Sequence, residues 1–281
     1  MHDHLWDYGQ PAESERRFRA ALETETDAGQ RVELLSQIAR AQGLQREFDA
    51  GHATLDEAEA ALAPAQGRAA ARCLLERGRL HNSAGDQATA CGWFDRALAR
   101  AEAAGEEALA IDALHMLGIA APPEERTDWN LKALARAEAA ADPAASRWRG
   151  SLYNNLGWTY HDQGRFAEAL ELFERGAAWR REAGQQHEER IARWSVARAL
   201  RSLGRVGEAQ AIQHALLAEH RALGSEDGYV YEELAECALL QGERAAAAPW
   251  AAAAHRLLGQ DAWLAANEPA RLERLRELAA E

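Results

Sequence analysis

Lysine is nearly missing from this chain of 281 residues: Lys132 is the only one, and arginine carries the rest of the positive charge. Acidic side chains outnumber basic ones 45 to 32, for a net charge of -13. General nucleic-acid binding needs a basic surface that displaces counterions, so it is not expected. Cysteine is scarce. Cys73, Cys91 and Cys237 are far apart and odd in number, which excludes a disulfide framework and fits small buried residues in a reducing compartment. No apolar stretch reaches the roughly 18 residues a membrane span needs, and Met1-His2-Asp3-His4-Leu5 has no secretory pattern. A cytoplasmic protein without a membrane partner is expected. Alternating Val/Ile/Thr runs are absent, so no sheet is expected.

Catalytic signatures are absent as well. The chain has no phosphate loop, no nucleophile elbow and no dinucleotide fingerprint. Its ten histidines are scattered, and His2-x-His4 reads as a terminus rather than a metal site. Glu188-Glu189 and Glu232-Glu233 are adjacent in sequence, and adjacent residues on a helix point apart, so they read as solvated faces. No enzyme activity, cofactor or metal is expected.

Helix formers are abundant: alanine, leucine, glutamate and arginine dominate. The clearest stretch runs from Ser151 to Gly184. Tyr153, Leu156 and Tyr160 fall at spacings of three and four, one helical face, with Gly157 between them. A glycine within a helix costs about 1 kcal/mol against alanine, so Gly157 is read as a point of close helix approach. Gly164 ends that helix as a residue free to take positive φ. A second amphipathic run follows, with Phe166, Ala169, Leu170, Phe173 and Ala177 inward, and Gly184 closes it.

Looser copies of this hairpin fill the chain. Gly9, Gly43, Gly85, Gly164, Gly204 and Gly242 form one series of turns, mostly roughly 40 residues apart, against about 34 for the standard repeat of this kind. The wide gap after Gly85 holds a unit with Leu117-Gly118 and a turn at Ala121-Pro122-Pro123, where proline halts the helix. An interleaved series of breaks runs through Gly29, Pro64 to Gly67, Gly105, Asp142-Pro143, Gly184, Gly224 and Gly259. The pattern predicts one all-α array: an N-terminal half-unit over 1–28, six helix pairs over 29–259 and a capping helix over 261–281. In that last segment Asn267 is read as the N-cap, Pro269 as a first-turn residue, and Leu272, Leu275 and Leu278 as the apolar stripe.

Tyr153, Leu156, Gly157, Tyr160, Ala169 and Phe173 resemble the tetratricopeptide repeat, whose signature is W-x2-L-G-x2-Y…A-x3-F…P. Tyrosine replaces the opening tryptophan, and the closing proline is missing. The longer period is similar to repeats of bacterial regulators. The resemblance implies a right-handed superhelical solenoid whose concave groove, lined by first-helix residues, binds a peptide or protein. Carried over position by position, the groove residues include Arg79 and Asn82, then His115, then Asn154, Trp158 and His161, then Trp194, Arg198 and Arg201, with Tyr229, Glu232 and Glu236 from the last pair. Trp158, His161, Trp194, Arg198 and Arg201 form the expected centre, since Trp and Arg dominate interface hot spots, and a segment with acidic or aromatic residues is the expected partner. The alternative for the tryptophans is packing between helices. Two other functional readings stay open: a self-associating module forming a homodimer, and a detached sensor domain for a small ligand or signalling peptide. The carboxylate clamp of some family members is not supported, because His115, Ile119, Ile191 and Ser195 stand at its positions.

Overall fold

The computed structural model describes residues 3–63 and 66–280. Pro64 of the second series of breaks, and His2, lie outside the described residues. Every regular element among the described residues is helical. The chain divides into two compact units, the first ending at Leu152 and the second starting at Tyr153.

In the first unit a 3-10 turn at Asp3–Leu5 precedes α1 (Pro11–Thr24). Three antiparallel pairs follow: α2 (Ala28–Leu44) with α3 (Phe48–Ala60), α4 (Gly67–Ser83) with α5 (Gln87–Ala103), and α6 (Glu107–Ala120) with α7 (Pro123–Ala139). A single turn, α8 (Pro143–Ser146), leads into α9 (Arg149–Asp162), within which the chain passes to the second unit. There α9 packs on α10 (Phe166–Glu182), α11 (Gln186–Ser202) on α12 (Val206–Ala222), and α13 (Gly228–Leu240) on α14 (Arg244–Leu258). The short α15 (Ala262–Asn267) and α16 (Pro269–Ala279) complete the unit.

Two local devices make the pairs. The first is the left-handed turn residue. At Gly164, φ is +74°, and the backbone N–H groups of Gly164 and Arg165 reach back to the carbonyls of His161 and Tyr160, each at 2.9 Å. These bonds satisfy carbonyls that the end of α9 would otherwise leave open. The second is a small residue facing a large ring. Phe173, 1% exposed, lies against Gly157 so closely that a Cβ there would overlap its ring, and Phe94 stands 2.5 Å from the Cβ position of Gly78. Gly157 thus repays its helical cost through packing density.

Not every glycine expected at a break is a turn residue. Gly43 lies inside α2, where a Cβ would meet Leu80 at 2.6 Å, so it is a packing residue; the left-handed position of that turn is filled by Arg46, with φ 64°. Gly29 sits in the first turn of α2, capped by Asp27, and Gly259 ends α14 with φ -65°. Asn267 is also corrected. It is the last residue of α15, its amide donates to the Trp263 carbonyl at 2.9 Å, and Glu268 precedes Pro269 at the start of α16. The apolar stripe behaves as a cap requires: Leu275 and Leu278 enter the core formed by Val230, Leu234, Ala251 and Leu258, and Leu272 packs beside them. An end helix that covers the last repeat keeps its apolar face from water.

Candidate binding site

Three successive first helices of the second unit, α9, α11 and α13, each contribute an aromatic ring to one row. The Trp158 and Trp194 rings are 5.9 Å apart and the Trp194 and Tyr229 rings 6.0 Å apart, within the range of favourable ring contacts. Trp158 also leans on Phe173 at 5.1 Å, and the Trp194 indole N–H donates to the Tyr229 carbonyl at 3.1 Å. The rings are therefore fixed by the helices behind them, yet all three line a cavity of about 670 Å³. Packing between helices and lining an open surface are combined in the same side chains.

The rest of that cavity is a lattice of paired charges. Arg201 donates to both oxygens of Glu233, at 2.8 and 2.9 Å, and Arg198 lies 3.4 Å from the same carboxylate. Arg271 of α16 donates to Glu232 and Glu268, and Arg274 to Glu236. Burial alone would pull the Arg201 guanidinium down, but the Glu233 carboxylate more than offsets it and its pKa is raised. Arg198 is lowered, with burial the main cause and Glu233 opposing. Burial would raise the Glu236 carboxyl, yet Arg274 and Arg201 hold it below its ordinary value. Such pairs serve orientation more than stability, because desolvation consumes much of their attraction.

The nine residues read from the sequence separate clearly. Trp158, Trp194, Arg198 and Arg201 meet at the cavity. His161 is beside it: its ring packs on Trp158 and Phe166 and its Nε2 lies 3.0 Å from the Ser202 hydroxyl. Burial, then the nearby Arg198, lowers its pKa. Asn154 is one turn before Trp158, its amide donating to Asn155 at 3.3 Å. Arg79, Asn82 and His115 belong to the first unit. Arg79 is held between Glu76 and Asp112, and with Asn82 it lines a smaller cavity of about 130 Å³. The Asn82 Oδ1 is buried without a hydrogen-bond partner. His115 packs on Trp148 at 5.2 Å.

Two expectations change. Glu232 and Glu233 are not a solvated face: they are 7% and 3% exposed. Both are buried because α13 has neighbours on two sides, Arg201 from α11 and Arg271 from α16. Arg198 and Arg201 are also not free to meet an acidic partner, since Glu233 already faces them. Sequence reading missed Arg271 and Arg274, which looked like the polar side of an end helix. Their spacing of three, matched to Glu232 and Glu236 spaced by four, was the available signal, but it has meaning only once α16 is known to lie along α13.

Among the described residues no group of three or more His, Cys, Asp or Glu side chains could hold a metal ion, and no helix is long and apolar enough to cross a membrane.

Comparison with known proteins agrees with this architecture. Residues 149–187 match the tetratricopeptide repeat family. No curated protein sequence matches the chain. Among solved structures, the chain is similar to a signal transduction ATPase with numerous domains that carries a tetratricopeptide repeat sensor, from Pyrococcus horikoshii. The TM-score is 0.72 at 15% identity, covering 96% of this chain and 42% of that one. A tetratricopeptide repeat protein from Parabacteroides merdae matches with TM-score 0.56 and 16% identity over 97% of this chain and 93% of that one. A Rap protein complexed with Competence and Sporulation Factor matches with TM-score 0.58 and 16% identity over 86% and 72%. These likenesses establish the fold.

Proposed function

From the premise that this chain has a tetratricopeptide-repeat fold with a repeat at residues 149–187, we propose that it is a non-catalytic scaffold that binds a peptide or protein segment on its second unit. The observation that carries this reading is the row Trp158–Trp194–Tyr229, held rigid from behind and open in front. Rigid aromatic surface loses little side-chain entropy on binding, and Trp, Tyr and Arg are the residue types that anchor interfaces. One of the similar structures, the Rap protein complex, is of a protein bound to a factor, which supports the same use of the fold here.

The charges around the row refine the partner. Asp162, Glu232, Glu233, Glu236 and Glu268 face Arg198, Arg201, Arg271 and Arg274, so the wall is nearly balanced. A segment that inserts an aromatic or apolar side chain between the rings, flanked by charges of both signs, fits better than a uniformly acidic one.

The test is selection of a random peptide library on the full chain, followed by capture with Trp158→Ala and Trp194→Ala. Enriched peptides should share an aromatic position and lose capture by both variants, with helical circular dichroism unchanged. Capture that survives both substitutions, or no enriched sequence, would retire the reading.

A further inference from the structure

Trp194 has a second face. On that side α11 presents His187, Arg190, Ile191 and Trp194 at spacings of three and four, one stripe of the helix. The stripe looks across to Leu216 on α12 and Val230 on α13, and together they enclose a cavity of about 330 Å³. That is at the small end of the roughly 300–1,000 Å³ range of ligand sites. Its walls are mainly apolar: Ile191 is 48% exposed, while Leu216 and Val230 belong to the core.

One group in this cavity is out of balance. Arg190 lines it, and its Nε is buried without a hydrogen-bond partner. A buried guanidinium donor without an acceptor is costly. The carboxylates nearby are already engaged. Asp227 accepts from the backbone N–H of Tyr229 at 2.8 Å and lies 3.7 Å from the His220 ring, and Glu189 is paired with Arg181 at 3.0 Å. Arg193, on the next position of the helix, already has Glu219. Arg190 is thus a cation at a mainly apolar pocket whose lining acid, Asp227, caps the start of α13.

We propose that this cavity is a binding site for a small carboxylate with an apolar body, the anion on Arg190 and the hydrocarbon against Ile191, Trp194, Leu216 and Val230. A carboxylate matches the planar fork of an arginine, accepting two parallel hydrogen bonds. The site shares Trp194 and Tyr229 with the peptide-binding row, but Arg190, Ile191, Leu216 and Val230 belong to this cavity and not to that one.

The experiment is calorimetric titration of the full chain with hexanoate, octanoate and 4-phenylbutyrate, each beside its alcohol of the same carbon skeleton. At least one acid should bind with Kd below about 1 mM, and its alcohol at least about tenfold more weakly. Arg190→Gln, which keeps the stem and removes the charge, should weaken the acid about ten- to a hundredfold and leave the alcohol unchanged. Arg190→Lys should recover part of the loss. Absence of binding by all three acids overturns the proposal, as does equal binding of acid and alcohol or indifference to Arg190→Gln. If Arg190→Gln unfolds the chain, displacement of bound acid from the native protein by its alcohol at equal concentration decides against a charge-specific site.

Discussion

Arg201 grips Glu233 from the neighbouring first helix with two parallel bonds, Nε at 2.8 Å and Nη2 at 2.9 Å from the two carboxylate oxygens. Glu233 is 3% exposed, so neither partner turns to water if the other is lost. Glu233→Ala should cost about 3–5 kcal/mol, the usual penalty for stranding a buried charge, read from urea unfolding. Replacing both residues by methionine should cost less than Glu233→Ala alone, because the more deeply buried Arg201 is then not stranded and only the more exposed Arg198 loses its carboxylate.

Gly157 has no room for even a methyl group beneath Phe173. Gly157→Ala gains helix propensity of about 1 kcal/mol, but overpacking of a rigid ring costs about 1–3 kcal/mol. The net expectation is loss of stability. Phe173→Leu in the same chain should restore part of it, since the obstacle is the ring. A thermal melt of the two single variants and the double variant checks this; strict additivity would contradict the packing account.

His115 offers a pH test. Burial against Trp148, only partly countered by Asp112, pushes its pKa down to about 4 from 6.5. The folded ring stays neutral while the unfolded ring takes up a proton below 6.5. Stability is therefore intact above that value and falls as the pH drops from 6.5 toward 4. His115→Gln should flatten this part of the stability profile. In the native protein, the His115 ring resonance should show its midpoint near 4 rather than near 6.5.

Leu275, fully buried in α16, tests the cap. Leu275→Ala should cost about 2–5 kcal/mol in the unfolding of the second unit. Amide exchange should rise first in α16 and then in α13, because Arg271 and Arg274 tie the two helices together through Glu232 and Glu236.

The helices were legible because their signals are local. Gly164, Gly204 and Gly242 mark turns by a backbone need that only glycine meets cheaply, and Gly157 paired with Phe173 announces close packing within one hairpin. Where a signal had to cross between helices, it failed. Gly43 resembled a turn residue, but its reason is Leu80 on the next pair, and Arg46 took the strained position instead. Glu232 and Glu233 were judged by their own helix, on which adjacent residues do diverge. Their burial comes from α11 and α16, which approach α13 from different directions. Repeat register points to the aromatic positions and to Arg198, Arg201, Glu232 and Glu236 alike, while the pairing among those charges, and the part of Arg271, depends on contacts 32 to 39 residues apart in sequence.

Trp194 and Tyr229 wall both the cavity of about 670 Å³ and that of about 330 Å³, so the two compartments share one partition. An occupant on either side rests on the same two rings. By thermodynamic reciprocity, whatever factor a first guest imposes on the affinity for a second is returned in full. The bond from the indole N–H to the Tyr229 carbonyl ties that shared wall to the first turn of α13.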